Sequence, residues 1–301
     1  DFTIVTPTVS LDENFDYGGS AGNLTTVSGG KWVNHSGSTS VLYATSSLSM
    51  GSYPSSGVGG SATITGTNSE DVNRLFAVQS SGVVYMSALV NISAVSTGNY
   101  FMHLKDGGNN FMARVSAKDD GSGKILFGIA TSSTLVYGTT PFDLNTIYLV
   151  VASYNIDNGT SNLYVLSSPP ATEPVTPEAT DSGTSGTLIS AVALRQSSNI
   201  PTAIVDGIQV GTSWSSAVLS TKNAQIDGFS FSPNPTSLGY VKITSKSQSV
   251  MKVGVFDILG KQVVNTTVSN NRLDVSKLNT GIYIMKISQD DATTTKKLVI
   301  K

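Results

Sequence analysis

Between residues 83 and 210 apolar side chains gather in short runs broken by polar turns, and nowhere recur with the 3.6-residue period of a helix. Val83–Ile92 (VVYMSALVNI) is apolar at both odd and even positions, the pattern of a strand buried on both faces. Asn99–Leu104, Asn110–Ala117, Lys124–Ala130, Thr146–Ile156, Asn162–Leu166, Ala191–Arg195 and Ala203–Val210 read as further strands. Asp106-Gly107-Gly108, Asp119-Asp120-Gly121 and Asp157-Asn158-Gly159 supply turn chemistry between them. Eight or more strands over 1–221 predict an N-terminal jelly-roll β-sandwich in an all-β chain.

The flanks are less regular. Ser and Gly dominate 18–69, with isolated aromatics at Trp32, Tyr43 and Tyr53, and Ser167–Gly186 is a Pro-containing stretch read as a surface loop. Residues 215–227 (SSAVLSTKNAQID) read as a linker between a domain at 1–221 and a second at 222–301. From Gly228 the runs shorten: Phe229–Phe231, Tyr240–Thr244, Met251–Ile258, Gln262–Val268, Arg272–Val275, Ile282–Ile287 and Lys296–Ile300. They predict a small seven-stranded immunoglobulin-like sandwich. Asp257-Ile258-Leu259-Gly260 reads as a hairpin turn, and Asn279-Thr280-Gly281 as a turn whose Gly has positive φ.

Charge changes at the same boundary. Residues 1–221 hold 7 Lys/Arg against 15 Asp/Glu, a net −8, whereas 222–301 hold 11 against 5, a net +6. The basic half carries no nucleic-acid motif, and its Lys residues alternate with apolar ones along strands, so no nucleic-acid partner is expected. Cys is absent, which removes disulfides, thiolate metal sites and cysteine nucleophiles. No apolar run is long enough for a membrane-spanning helix. The sequence opens at Asp1 without a signal peptide, so any export signal is expected to have been removed.

The C-terminal run carries an ordered set of motifs: Pro233-Asn234-Pro235, then Val255–Lys261 with Asp257, Gly260 and Lys261, then Leu278–Ile284 with Gly281 and Tyr283, then Lys296, Lys297 and Lys301 at the end. Together, over 228–301, they resemble the type A C-terminal sorting domain of Bacteroidetes type IX (Por) secretion. That resemblance implies export through the periplasm to the cell surface or medium. It also implies recognition by an outer-membrane shuttle and translocon, and processing by a cell-surface sortase. Less specifically, Asn14-Phe15-Asp16-Tyr17, Tyr148-Leu149-Val150-Val151 and Val205–Gly211 with Trp214 resemble the concanavalin A-like or laminin-G-like jelly rolls, a resemblance that implies a fold and suggests extracellular glycan as a ligand.

Candidate chemistry in 1–221 is sparse. The two histidines, His35 and His103, lack metalloprotease spacing. Gly18-Gly19-Ser20-Ala21-Gly22 matches GxSxG but lies in a Gly/Ser loop with no strand–helix context. The four glutamates, Glu13, Glu70, Glu173 and Glu178, fall outside the strong strands, and adjacent Glu70-Asp71 would face opposite sides of a strand, which argues against a paired-carboxylate glycosidase. No cofactor is expected beyond Ca2+, for which Asp106, Asp119, Asp120 and Asp157 are the oxygen-rich candidates. Trp32, Tyr43 and Tyr53 are the candidate sugar-stacking aromatics, if exposed. The expected activity is non-catalytic: a surface module binding glycan or mediating adhesion. An enzyme, or the tail of a longer enzyme, and a passive spacer remain the alternatives.

Overall fold

The computed structural model describes residues 9–219, 226, 228–247, 249–268, 270–289 and 292–301. The chain forms two compact units, Asp1–Ser220 and Thr221–Lys301.

The first unit is a sandwich of two antiparallel sheets. One has nine strands, in the order Ala179–Ser182, Thr160–Leu166, Ile147–Asn155, Val83–Ala94, Thr202–Gly211, Ser61–Ile64, Leu42–Ala44 and Gly22–Asn23, with Val9–Glu13 also paired to Thr202–Gly211. The other has seven, in the order Val136–Tyr137, Ile125–Ala130, Phe111–Asp119, Asn99–Lys105, Ile189–Arg195, Asp71–Gln79 and Trp32–Ser36.

The double-parity apolar run in Val83–Ala94 has a specific cause. Val84, Met86, Ala88, Val90 and Ile92 enter the core between the sheets, while Tyr85 and Leu89 point the other way into a second apolar cluster. That cluster lies beneath a cover made of Leu48, Met50 and Tyr53, the segment around Glu173, and the helix Trp214–Val218. The nine-stranded sheet is therefore buried on both faces, and its strands read as continuous apolar runs.

The cover corrects two expectations. Residues 215–219 belong to the first unit rather than to a linker: Ser213 and Ser216 cap the helix reciprocally, and Trp214, Ala217 and Val218 are buried. Residues 220–225 and 227 lie outside the described residues. Ser167–Gly186 lies at the surface as expected, but it contains the strand Ala179–Ser182 and its loop portion is anchored. The hydroxyls of Tyr85 and Tyr164 both donate to Glu173, at 2.7 and 2.6 Å, and Trp214 Nε1 donates to the Pro170 carbonyl at 3.1 Å.

In Thr202–Gly211 the pairing changes partner at Gly207. Ala203–Val205 pair with Ser61–Ile64, and Ile208–Gly211 pair with Val9–Glu13. Gly207 has φ of +59°, and a Cβ there would lie 2.7 Å from that of Ser55, so both conformation and space call for glycine.

The second unit packs a three-stranded sheet (Ser230–Ser232, Tyr240–Thr244, Arg272–Asp274) with a four-stranded one in the order Gln262–Val268, Met251–Phe256, Gly281–Gln289, Ala292–Ile300. Val241, Ile243, Val253, Val255, Met285, Ile287 and Leu298 form its core. The Asp257 turn folds as expected, with Asp257 Oδ1 accepting from the Leu259 and Lys261 amides and Gly260 at φ +82°. Gly281 departs from expectation: its φ is not positive, and it opens a strand opposite Ile300 instead of closing a turn.

Candidate functional site

The aromatics singled out in the irregular N-terminal segment are core residues. Trp32 is fully buried and stacks on Phe15 with ring centroids 5.8 Å apart, and Tyr43 and Tyr53 are buried as well. Glu13 organises this corner. It accepts hydrogen bonds from the Phe15 amide (2.7 Å), the Tyr17 hydroxyl (2.6 Å) and Trp32 Nε1 (3.2 Å), and its carboxylate lies 2.6 Å from Arg74 Nε. Burial, then the Glu13 charge, hold the Tyr17 hydroxyl well above its ordinary pKa. Tyr53 donates to the Gly207 carbonyl at 2.6 Å and meets Ser87 Oγ at 2.9 Å. The Ser/Gly-rich segment is thus pinned down by aromatic anchors, and the expected exposure of Trp32, Tyr43 and Tyr53 does not hold.

The four calcium candidates sit in three turns, Asp119 and Asp120 sharing one, and the Asp106, Asp119 and Asp120 oxygens close the turns they stand in. Asp106 Oδ1 accepts from the Gly108 and Asn110 amides, Asp119 Oδ1 from Gly121 and Gly123, and Asp120 Oδ1 from Ser122 and Lys124. Asp157 accepts from the Gly82 amide. Among the described residues no three His, Cys, Asp or Glu side chains converge as metal ligands. The glutamates are also scattered: Glu70 accepts from the Val41 amide at 2.7 Å, and Glu178 from the Thr140 amide at 3.0 Å.

A different group of side chains converges on the outer face of the seven-stranded sheet. Ile189–Arg195 sends Val192 and Leu194 into the core, which leaves Ala191, Ala193 and Arg195 on the opposite face. Ala193 is opposite both His103 and Asn73, Ala191 is opposite Lys105, and Tyr100 is opposite Ser116. The two small alanines leave room for larger neighbours. His103, fully buried, lies between the rings of Phe111 (4.6 Å) and Tyr100 (5.4 Å), and His35 approaches the other side of this group, 6.3 Å from Phe111. The guanidinium groups of Arg195 and Arg114 lie 4.2 and 5.3 Å from the centre of the half-buried Tyr100 ring.

Cations outnumber anions on this face, where Asp71 is the carboxylate near His35 and Arg195. Burial pushes His103 well below the usual imidazole pKa, and His35, Lys105, Arg195 and Arg114 push it further in the same direction. His35 is lowered chiefly by burial as well. Arg114 is held below the usual guanidinium value by burial, with repulsion from Arg195 adding to it. Neither ring nitrogen of His103, nor Arg114 Nε, has a hydrogen-bond partner among the described residues, while His35 has Asn73 beside it. The sequence reading missed this face because its residues come from four strands far apart in the chain. The trace it leaves is local: Arg114 in NFMARVSA and Arg195 in AVALR are charges inside otherwise apolar strands.

In the second unit, the quoted motifs meet at the C-terminal strand. Asn234 donates from Nδ2 to the Lys297 carbonyl (3.0 Å) and accepts at Oδ1 from the Val299 amide (2.8 Å). Thr236 continues the pairing in parallel, its amide donating to the Val299 carbonyl (2.9 Å) and its carbonyl accepting from the Lys301 amide (2.8 Å). Pro233-Asn234-Pro235 therefore covers the outer edge of the last strand. Tyr283 anchors the preceding turn through a 3.0 Å bond to the Asn279 carbonyl. Lys297 and Lys301 are exposed and Lys296 partly so, while Leu298 and Ile300 are buried on the core face.

These features define an all-β protein with a small basic sandwich at its C-terminus. Residues 230–301 match the family described as a secretion system C-terminal sorting domain. The second unit is a type IX sorting domain, and the protein is cargo of that route, destined for the cell surface or extracellular space. No curated protein matches the chain. Among solved structures, a sialidase aligns over 67% of this chain and 18% of its own, with 11% identity and a TM-score of 0.45. Domain 4 of AbnA, a GH43 extracellular arabinanase from Geobacillus stearothermophilus in complex with arabinotriose, aligns over 71% of this chain and 95% of its own, at 13% identity and TM-score 0.40. A SAP-like pentraxin from Limulus polyphemus aligns over 50% and 76%, at 13% and 0.36. This chain thus spans less than a fifth of the sialidase it matches.

Proposed function

We propose that the jelly roll of this type IX cargo is a non-catalytic module that binds a saccharide on the outer face of its seven-stranded sheet. The shuttle and translocon of the outer membrane read the sorting domain and deliver the module outside the cell. The observation that carries the proposal is Tyr100. Its half-buried ring sits on a sheet face with two guanidinium groups against it. An aromatic surface flanked by polar donors is what a sugar ring needs, since its C–H face packs on the ring and its hydroxyls seek partners. The non-catalytic part is supported by the engagement of Glu13, Glu70, Glu173 and Glu178 in separate hydrogen-bonded positions.

The test compares Tyr100→Ala with Trp32→Ala in the full chain on a glycan array, with thermal unfolding alongside. Tyr100→Ala is expected to abolish saccharide binding with a small change in Tm. Trp32→Ala, which empties a core position, is expected to cost about 3–5 kcal/mol of stability. Saccharide binding unchanged in Tyr100→Ala would remove this face as the site.

A further inference from the structure

The same sheet face carries a charge imbalance that narrows the ligand. Resting on the saccharide reading above, we infer that the ligand is an acidic saccharide, bearing carboxylate or sulfate groups, and that Arg114 and Arg195 receive the anionic group beside Tyr100.

Three permanent cations, Lys105, Arg114 and Arg195, surround the buried His103 closely enough to act on its charge. Two guanidinium groups share one tyrosine ring, 4.2 and 5.3 Å from its centre. Few local anions offset them. Asp71 lies 4.0 Å from Arg195 Nε, a loose approach, and it also accepts from Ser36 Oγ and the Gln196 amide. Asp181, the other carboxylate that acts on Arg114, is occupied by the Thr131 and Ser132 amides and the Ser132 hydroxyl. Lys105 Nζ donates to the Asp106 carbonyl at 3.0 Å, a neutral partner.

A part-buried cluster of like charges is unfavourable unless an opposite charge completes it. Side chains elsewhere in this unit show the normal solution, as at Arg74, whose guanidinium meets the buried Glu13 carboxylate. Among the described residues Arg114 and Lys105 have no carboxylate within ion-pair distance, and Asp71 reaches Arg195 only at 4.0 Å. The planar donor fork of a guanidinium matches a carboxylate or a sulfate, and Arg is chosen over Lys where that fit matters. The His103 ring nitrogens and Arg114 Nε, buried and without acceptors, are a second observation pointing to the same place. An uncharged sugar could stack on Tyr100 but would leave this charge imbalance in place. An acidic one relieves it.

The experiment uses the full chain and titrates three probes by calorimetry: oligogalacturonate, a heparin oligosaccharide and a neutral galactan oligosaccharide. The first two separate a carboxylate ligand from a sulfated one. Because the sorting domain is itself basic, Lys297→Gln, which like Arg114→Gln removes one positive charge, serves as the charge-matched control. Arg114→Gln is the primary variant, Arg114→Lys keeps the charge but loses the fork, and thermal unfolding confirms that each variant folds.

Saturable binding of at least one acidic probe is expected. It should fall about tenfold or more in Arg114→Gln, fall less in Arg114→Lys, and stay unchanged in the lysine control. Binding of the acidic probes that falls equally in the lysine control would assign it to the sorting domain and overturn the inference. Binding of the neutral probe alone, lost in Tyr100→Ala but kept in Arg114→Gln, would overturn the acidic specificity while leaving the saccharide site standing. No binding of any acidic probe would overturn it outright.

Discussion

At Asp206 the fold keeps a carboxylate out of water with one oxygen bonded to the Leu48 amide at 2.6 Å. Burial pushes its pKa up to about 7, against the pull of the Leu48 and Gly207 amides and with a smaller push from Glu13. A carboxyl whose folded pKa lies above its unfolded value holds a proton that the unfolded chain releases, so its contribution to stability shrinks as pH rises toward 7. Asp206→Asn mimics the protonated form and keeps an acceptor for Leu48. The Tm of this variant should match the parent near about pH 4 and exceed it near about pH 8. A difference that stays constant across that range would mean Asp206 does not titrate as described. Individual side chains were the least legible part of the sequence. Trp32 and Tyr53 lie among Ser and Gly and look exposed, yet each finds a hydrogen-bonding partner and a packing surface far away in the chain, Glu13 for one and the Gly207 carbonyl for the other.

Strands were far more legible, because their patterning is local. The runs expected at Asn99–Leu104 and Ala203–Val210 became Asn99–Lys105 and Thr202–Gly211, shifted by a residue at most. Val9–Glu13, Ser61–Ile64 and Asp71–Gln79 escaped notice. Asp71–Gln79 sets Val72 and Phe76 against the core with Arg74 between them, where Glu13 neutralises it, so its inward face does not look apolar. The helix Trp214–Val218 is too short to show a period, and its serine cap resembles a polar linker. The Pro-Asn-Pro motif was visible as letters, but its role as the edge cover of Ala292–Ile300 required the structure. Asn234→Ala removes two exposed hydrogen bonds from that cover, and is expected to destabilise the sorting domain by about 1–2 kcal/mol while leaving the unfolding of the jelly roll unchanged. Calorimetry that resolves the two transitions checks this; equal shifts in both, or in neither, would count against it.

The two units have separate cores, one drawn from residues between Leu11 and Val218 and the other from residues between Ile226 and Ile300. A chain ending at Leu219 keeps every member of the first pair of clusters, so residues 1–219 are expected to fold cooperatively alone. The same truncation, expressed with an export signal in a type IX-competent cell, is expected to remain in the periplasm. Fractionation and a melting curve on the same preparation read both outcomes. Recovery of the truncated protein outside the cell in normal amounts would separate export from the sorting domain, and loss of its cooperative melt would refute independent folding.

The cover that Asn234 and Thr236 lay over Lys297–Lys301 also places an order on biosynthesis. The ribosome adds Lys297 63 residues after Asn234, so the groups waiting for that strand near the start of the unit stay unmatched until it has been made. A product terminated before this strand lacks what fills the position, and with it the buried Leu298 and Ile300. Closure of the unit thus records that translation has passed its last strand.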